Sequence, residues 1–289
     1  MKNKRIVITG STSGIGYITS YELAKSGANL VLVARNKTKL DAQKTELQQL
    51  NSTIEIDTIV ADLSIQSEVF KAGAQIKAKF PVIDVLINNA GVINQQFQLT
   101  ADGVESTFAL NHIAYFILTD LLLDNLKAAP KARIINTASE ASRAGKAELD
   151  KVNSSEWFTP IKAYGTSKMA NIIFTIDLAK RLNGTNISVN CMHPGAVRTG
   201  FAMEMNGFMA NLFKFFRPVM RSPEKGAETV IWLAKAAEVE NISGKYFKDK
   251  KQIKAIATVY NPLIAKQLTD ISLDLINREY KNKLTLFKN

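Results

Sequence analysis

Short apolar runs alternate with longer amphipathic segments along this chain. The apolar runs predict strands at residues 5–9, 29–34, 53–60, 82–87, 132–137, 187–192 and 244–247. Segments with helical spacing lie between them, at residues 14–26, 38–50, 65–79, 102–127, 163–182 and 223–235. Because strands that alternate with helices form βαβ units, the pattern predicts an α/β fold. We expect one doubly wound domain with a mostly parallel seven-stranded sheet and helices on both faces.

The chain has 289 residues and carries no internal repeat or low-complexity linker. One α/β domain commonly reaches this length, so we expect residues 1–250 to form a single domain. Residues 251–289 follow the last predicted strand. We expect them to form a helical extension that packs on the same domain.

The chain is basic, with a formal net charge of +11. Lysine and arginine are spread over the whole sequence. Their densest run, at residues 245–251, is short and has no nucleic-acid-binding motif beside it. We therefore expect no nucleic-acid partner and attribute the charge to a basic surface together with a phosphate-bearing ligand.

Two features argue against export and membrane insertion. The N-terminus has charges but no long apolar run before Gly10. The most apolar stretch, residues 113–123, contains Thr119 and Asp120 and is shorter than the ~20 apolar residues that a bilayer requires. We expect a cytoplasmic location without a transmembrane segment, and peripheral membrane contact is the less favoured alternative.

The cysteine and the two histidines do not predict a disulfide or a metal site. Cys191 is the single cysteine and lies in an apolar run, so we expect it to be buried and unreactive. His112 and His193 are not in ligand spacing with cysteine or carboxylates. We assign both histidines structural roles and expect no metal.

A glycine-rich turn follows the first strand and opens the first helix. Glycines allow a sharp turn and close approach of the backbone, and the N–H groups of a helix N-terminus attract phosphate. By itself the turn is also consistent with a tight βα connection, but its place in the first βαβ unit favours a Rossmann-type dinucleotide site. The expected contacts are Gly10, Ser11, Thr12, Ser13, Gly14, Ile15 and Gly16.

Arg35 and Asn36 follow the second strand, where a dinucleotide-binding fold places the adenosine ribose. An acidic residue here favours NAD, whereas an arginine accepts the 2′-phosphate of NADP. We therefore favour NADP(H) over NAD(H), the alternative being a solvated arginine that opens a helix. Asp62, before Leu63, is either an acceptor for the adenine amine or a helix cap.

Several motifs occur in the order and at the strand ends expected of one family. They are Thr9-Gly10-x3-Gly14-Ile15-Gly16, Asp62-Leu63, Asn88-Asn89-Ala90-Gly91, Asn111, Ser139, Tyr164-x3-Lys168 and Pro194-Gly195. Together they resemble the short-chain dehydrogenase/reductase family, over residues 4–247. The resemblance implies an oxidoreductase that acts on CH–OH or C=O groups with NADP(H). It also implies further cofactor contacts from Asn89, Ala90, Gly91, Pro194, Gly195, Val197 and Thr199.

The resemblance assigns four catalytic residues: Asn111, Ser139, Tyr164 and Lys168. Tyr164 is implied as the general acid/base, Ser139 as the hydrogen-bond donor to the substrate oxygen, and Asn111 as a residue that holds a relay water. Lys168 lies one helical turn after Tyr164. Since an ammonium about 4 Å away is worth roughly 4 kcal/mol, we expect it to lower the pKa of Tyr164 from ~10. The family lysine also binds the nicotinamide ribose.

Two features resemble the retinol-dehydrogenase-like branch, which includes WW-domain oxidoreductases. Ser139 and Tyr164 are separated by a long insertion that contains Trp157 and Phe158, and His193 precedes Pro194. Membrane anchors and WW modules of some relatives are not recognised here, so retinoid activity is not carried over.

The stretch at about residues 200–222 is rich in phenylalanine and methionine. It lies where the family that the chain resembles places a flap over the substrate, so the resemblance implies a substrate flap here. A core-packing helix and a membrane-surface helix are the alternatives. A lid at this position that closes an apolar pocket favours a medium or long apolar aldehyde, ketone or alcohol as the small-molecule substrate. An NADP(H)-binding redox sensor with little turnover is the main alternative function, an enoyl or imine reductase is another, and monomer and homodimer both remain open.

Overall fold

The structure, a computed structural model, describes residues 1–198 and 220–286. Within these residues eight strands form one sheet in the order β3-β2-β1-β4-β5-β6-β7-β8. The strands are β1 (Arg5–Thr9), β2 (Asn29–Ala34), β3 (Ile56–Val60), β4 (Val85–Asn88), β5 (Ala132–Thr137), β6 (Ile187–Met192), β7 (Lys245–Lys248) and β8 (Lys251–Ile253). Pairing is parallel from β3 through β7, which confirms the predicted doubly wound α/β fold.

The eighth strand was not expected from the sequence. Asp249 and Lys250 both adopt positive φ, at 53° and 59°, and connect β7 to an antiparallel β8. Two consecutive residues of this conformation form the kind of tight turn that joins hairpin strands. The lysine-rich run at 245–251 is therefore largely a hairpin at the sheet edge.

Helices cover both faces of the sheet. They are α1 (Gly14–Lys25), α2 (Lys37–Leu50), α3 (Gln66–Lys79), α4 (Ser106–Phe108), α5 (Ala114–Leu121), α6 (Leu123–Lys127), α7 (Pro160–Arg181), α8 (Pro223–Lys235), α9 (Pro262–Asp274) and α10 (Arg278–Lys281). Side chains alternate between faces along each strand. In β1, Val7 packs with α3, α5 and α7, whereas Ile6 and Ile8 pack with α1, α2 and α8.

The prediction of one continuous helix over residues 102–127 is wrong. The helix begins at Ser106, passes through a π-helical turn at Ala109–Ile113 and is interrupted again at Leu122. Buried Glu105 caps its start, because its carboxylate accepts from the N–H groups of Thr107 and Phe108, both at 2.8 Å. The π turn displaces the backbone at Asn111, and such turns are frequent at functional sites.

Residues 257–286, here called the C-terminal segment, pack against α5 and α7. Leu268, Ile276 and Leu284 are buried in the same apolar cluster as these helices. The Asp120 carboxylate of α5 accepts from the N–H groups of Thr285 and Leu286, at 2.9 and 2.6 Å. No helix in the described ranges is long and apolar enough to cross a membrane.

Candidate active site

Helix α7 brings Tyr164 and Lys168 to the carboxyl end of β5. Thr159 caps the helix by accepting from the Lys162 N–H, and Pro160 occupies its first turn, where a proline is well tolerated. The Lys168 side chain is buried, and its Nζ donates to the Thr137 carbonyl at 2.9 Å. The same Nζ lies 5.7 Å from the centre of the Tyr164 ring.

Ser139 lies opposite Tyr164, just beyond β5. Its Oγ accepts from the N–H of Ala141 at 3.1 Å, which caps a 3₁₀ turn over Glu140–Ala144. The Tyr164 hydroxyl hydrogen-bonds to Ser139. The structure therefore brings Ser139, Tyr164 and Lys168 together, as the sequence predicted.

The expected effect of Lys168 on Tyr164 is not seen. Burial raises the pKa of Tyr164 to about 12, although the hydrogen bond from Ser139 opposes this. Burial also lowers the pKa of Lys168 to about 7. The attraction between phenolate and ammonium is opposed by the free energy of removing both charged groups from water. In the protein alone, desolvation outweighs the attraction.

The side chain of Asn111 contacts the loop that follows β4. Its Oδ1 accepts from the Val92 N–H at 2.8 Å, and its Nδ2 donates to the Val92 carbonyl and to Ser167 Oγ, both at 2.9 Å. A Cβ at Gly91 would lie 3.1 Å from Asn111 Oδ1 and 3.4 Å from Lys168 Nζ. Asn111 thus joins the loop to α7 beside the lysine.

The glycine-rich turn between β1 and α1 has the features of an anion site. Gly10 adopts φ of +66°, and a Cβ on Gly16 would lie 2.1 Å from the Gly10 carbonyl oxygen, so neither position tolerates a side chain. Ser13 precedes α1 without capping it through its side chain. The Ser11 hydroxyl is buried and has no hydrogen-bond partner within the described ranges. Open N–H groups at a helix start and an unpartnered hydroxyl fit the pyrophosphate of a dinucleotide.

Arg35 and Asn36 are exposed at the end of β2, at the same edge of the sheet. The Asn36 side chain accepts from the Lys39 N–H at 2.9 Å and caps α2, so only Arg35 of this pair is free of a capping role. Asp62 accepts from the N–H and hydroxyl of Ser64, at 2.9 and 2.7 Å, while Ile65 precedes α3. The helix-cap alternative for Asp62 is therefore wrong.

Comparison with known proteins decides the family. Residues 4–209 match the model of the short chain dehydrogenase family. The chain belongs to the short-chain dehydrogenases. The resemblance stated from the motifs is thereby confirmed, and the chain is an oxidoreductase that acts on CH–OH groups of small molecules, in a family that binds NAD(P).

The relatives define the branch of this short-chain dehydrogenase. It is 34% identical to retinol dehydrogenase 14 of Homo sapiens over 288 residues, which cover 94% of this chain and 86% of that protein. It is 33% identical to retinol dehydrogenase 12 of Mus musculus, with 96% and 88% covered. The chain therefore lies in the retinol-dehydrogenase-like branch.

Solved structures support the fold of the short-chain dehydrogenase. An uncharacterised protein from Mycobacterium paratuberculosis superposes with a TM-score of 0.75 at 26% identity, over 95% of this chain and 93% of that one. The L-sorbose reductase of Gluconobacter frateurii, complexed with NADPH and L-sorbose, gives 0.70 at 24% identity, over 89% and 98%. The second similarity shows the fold alone.

Pro194 and Gly195 follow β6 in this short-chain dehydrogenase, at the carboxyl end of the sheet. Gly195 adopts φ of +90°, and a Cβ there would lie 2.5 Å from the Arg221 side chain. Val197 pairs with Arg221 in an isolated bridge. Thr199 and most of the expected flap lie outside the described residues, which resume at Met220.

His193 follows β6 and contacts Glu140, the residue after Ser139. Its Nδ1 accepts from the Glu140 N–H at 3.2 Å, and its Nε2 lies 3.2 Å from the Glu140 carboxylate. Burial lowers the pKa of His193 to about 4. Within the described residues, no group of three histidine, cysteine or carboxylate side chains is arranged to hold a metal. Cys191 is buried, as predicted.

Three residues that position the cofactor loop were given no role from the sequence, although Thr9 stands in the first family motif. Thr9 Oγ1 accepts from the N–H groups of Asn89 and Ala90, at 2.9 and 3.0 Å, and so joins the ends of β1 and β4. The Tyr115 hydroxyl donates to the Ala90 carbonyl at 2.7 Å. Buried Gln43 donates to the Ser11 carbonyl at 2.9 Å. Gln43 also gave a signal, since it is a polar residue on the apolar face of α2 between Leu40 and Leu47.

Proposed function

We propose that this short-chain dehydrogenase transfers a hydride between NADP(H) and the carbonyl or alcohol carbon of an apolar aldehyde, ketone or alcohol, with Tyr164 as general acid/base. The observation that carries the proposal is the Tyr164–Ser139 hydrogen bond beside the buried ammonium of Lys168. A donor pair and a cation at one point suit an oxygen that gains negative charge during reduction.

The cofactor site is proposed from the residues at the carboxyl edge of the sheet. The turn from Gly10 to Gly16 would hold the pyrophosphate. Asp62 and Leu63, with residues 89–91, would line the adenine and its ribose. Residues 194–197 would pack on the nicotinamide, and Lys168 would bind the nicotinamide ribose. Arg35 is exposed at the end of β2 and would bind the 2′-phosphate of NADP. When bound, the nicotinamide supplies or accepts the hydride.

Each catalytic residue then has one task. Ser139 would donate a hydrogen bond to the substrate oxygen, because its Oγ accepts from the Ala141 N–H and the proton that it gives to Tyr164 in the free protein can turn to that oxygen. Tyr164 gives its proton to that oxygen in reduction and takes it back in oxidation. Lys168 favours the phenolate that forms, and Asn111 holds the loop at Val92 against the lysine.

The apolar substrate is proposed from exposed apolar side chains on α7 and on the loop after β4, and from the relatives. Ile161 lies one helical turn before Tyr164 on α7 and is 45% exposed, and Leu99 of the loop after β4 is 44% exposed. Phe97 and Phe158 pack edge to face with ring centres 5.7 Å apart. The relatives named retinol dehydrogenase act on a long apolar alcohol, which agrees with an apolar surface here.

The test is oxidation of NADPH and NADH with straight-chain aldehydes of increasing length. We expect NADPH to be preferred. The kcat/KM should rise several-fold with each added carbon until the site is full, because a buried methylene is worth about 0.8 kcal/mol. Tyr164→Phe should lower kcat by two to four powers of ten while NADPH still binds, since general acid catalysis is worth about that much.

Three outcomes of these measurements would contradict the proposal. Tight NADPH binding with no turnover of any aldehyde, ketone or alcohol would favour a redox sensor instead. Near-normal turnover by Tyr164→Phe would remove the assigned acid/base, and a flat response to chain length would remove the apolar substrate.

A further inference from the structure

A chain of buried polar side chains connects the C-terminal segment to α7. Ser272 Oγ lies 2.9 Å from His112 Nε2, and His112 Nδ1 lies 3.2 Å from Asn171 Oδ1. An amide oxygen only accepts, so His112 Nδ1 carries the proton and Nε2 accepts from the Ser272 hydroxyl. All three side chains are fully buried. We call Ser272, His112 and Asn171 the polar chain.

The other end of the polar chain reaches the group that holds Lys168. Asn171 Nδ2 donates to the Asn111 carbonyl at 2.9 Å and to the Thr137 carbonyl at 3.3 Å. The Thr137 carbonyl also accepts from Lys168 Nζ at 2.9 Å. The Asn171 amide and the Lys168 ammonium therefore share one acceptor.

We propose that Asn171 is a positioning residue for Lys168, and that Ser272 and His112 hold its amide in place. The amide donates to two carbonyls, that of Asn111 in the π turn and that of Thr137 at the end of β5, and the second of these also holds the ammonium. By competing for the Thr137 oxygen, it also limits how strongly that oxygen stabilises the ammonium. The importance of this arrangement for catalysis rests on the proposed function, because it acts through Lys168.

The direction of the effect follows from the groups around the ammonium. Tyr115 of α5 and Tyr164 of α7 face Lys168 with ring centres at 5.8 and 5.7 Å, and His112 lies beyond Asn171. With the amide removed, the Thr137 oxygen is left to the ammonium alone. The charged form of Lys168 is then favoured, and its pKa rises.

The test is an NMR titration of Lys168 in protein labelled with ¹³C-lysine, with the resonance assigned by its absence from Lys168→Met. In Asn171→Leu the pKa of Lys168 should rise by about half a pH unit to one pH unit, which is the size expected for one hydrogen bond. Thr175→Val is the matched control. It removes a buried hydroxyl one turn along the same helix, where Thr175 donates to the Asn171 backbone carbonyl, and should leave the pKa of Lys168 unchanged.

The outcomes separate this proposal from the proposed function. The titration needs neither substrate nor cofactor, so a wild type without turnover would refute the proposed function but not the positioning role. If turnover is found, the limb of its pH profile that belongs to Lys168 should move by the same amount. If Asn171→Leu does not fold, Ser272→Ala replaces it, with a smaller rise in the same direction. An unchanged pKa in a folded variant, or an equal change in Thr175→Val, overturns the proposal.

Discussion

Lys168 shows that the candidate active site is assembled at a cost in stability. Its side chain is 2% exposed and its ammonium has no counter-ion among the contacts described, only the Thr137 carbonyl and two aromatic rings. Burial without an opposite charge lowers the pKa of a lysine because the charged form loses its hydration. The residue is therefore suited to chemistry rather than to packing.

Replacing Lys168 by methionine should stabilise the cofactor-free protein at pH 7. The folded pKa of about 7 lies below the ~10.4 of an unfolded lysine, so the unfolded chain binds more protons between these values. Lys168 therefore makes the wild-type free energy of unfolding increase as the pH rises. The stability advantage of Lys168→Met should shrink between pH 7 and 10. Urea denaturation of both proteins across this range measures the difference, and a constant difference would contradict the assigned burial of the charge.

Elements near the site are shaped by single polar residues. Glu105 is 1% exposed and fixes the start of α4, which leads directly into the π turn that contains Asn111. Burial raises the pKa of Glu105, while the two backbone N–H groups that it accepts from oppose the rise. The cap therefore stabilises the turn but carries a desolvation cost when ionised.

Glu105→Gln should destabilise the protein by about 1–3 kcal/mol, because glutamine accepts through one oxygen and leaves a backbone donor buried. The folded pKa is raised, so the wild type loses stability as pH rises from the ordinary value of ~4.3 through the folded one. The loss caused by the substitution should accordingly be larger at pH 5 than at pH 8 in urea denaturation. Exposed Glu156→Gln is the control, and an equal effect there would show that the cap is unimportant.

The strands could be predicted from the sequence, whereas the π turn and the pKa values of the site residues could not. The strands β1, β2 and β5 were predicted to the residue, because buried parallel strands appear as uninterrupted apolar runs. The π turn was not, because its residues are those of an ordinary amphipathic helix and its backbone is set by contacts with Val92 and Asn171. Tyr164, Lys168 and Ser139 were found by motif, but their pKa values depend on burial, which one sequence does not specify.

At the scale of the whole molecule, the C-terminal segment completes the core beside the site. Gln66 of α3 donates to the Leu275 carbonyl at 2.7 Å and accepts from the Asn277 N–H at 2.8 Å. Phe70 stacks on Tyr280 with ring centres 4.5 Å apart. These contacts join residues that are about 200 positions apart in the sequence. The local sequence pattern of either partner therefore does not predict them.

Asp120→Ala should loosen the end of the C-terminal segment without unfolding the sheet. The buried carboxylate accepts from two backbone N–H groups, at Thr285 and Leu286, and losing hydrogen bonds to a charged group costs about 1–3 kcal/mol. Hydrogen exchange should become faster in residues 278–286 and stay unchanged in β1 and β4. Asp124→Ala, one turn later and paired at the surface with Lys77, should change exchange little. Equal protection in both variants would count against this anchor.

The docking of the C-terminal segment also has a consequence for biosynthesis. Residues 262–286 leave the ribosome after every strand of the sheet has been made, yet Ser272 of this segment contacts His112 in the π turn. A nascent chain can pair its strands early, but the histidine ring and the apolar surface of α7 stay uncovered until the C-terminal segment has been made. The interval between sheet formation and docking is thus the time when this protein most needs a chaperone.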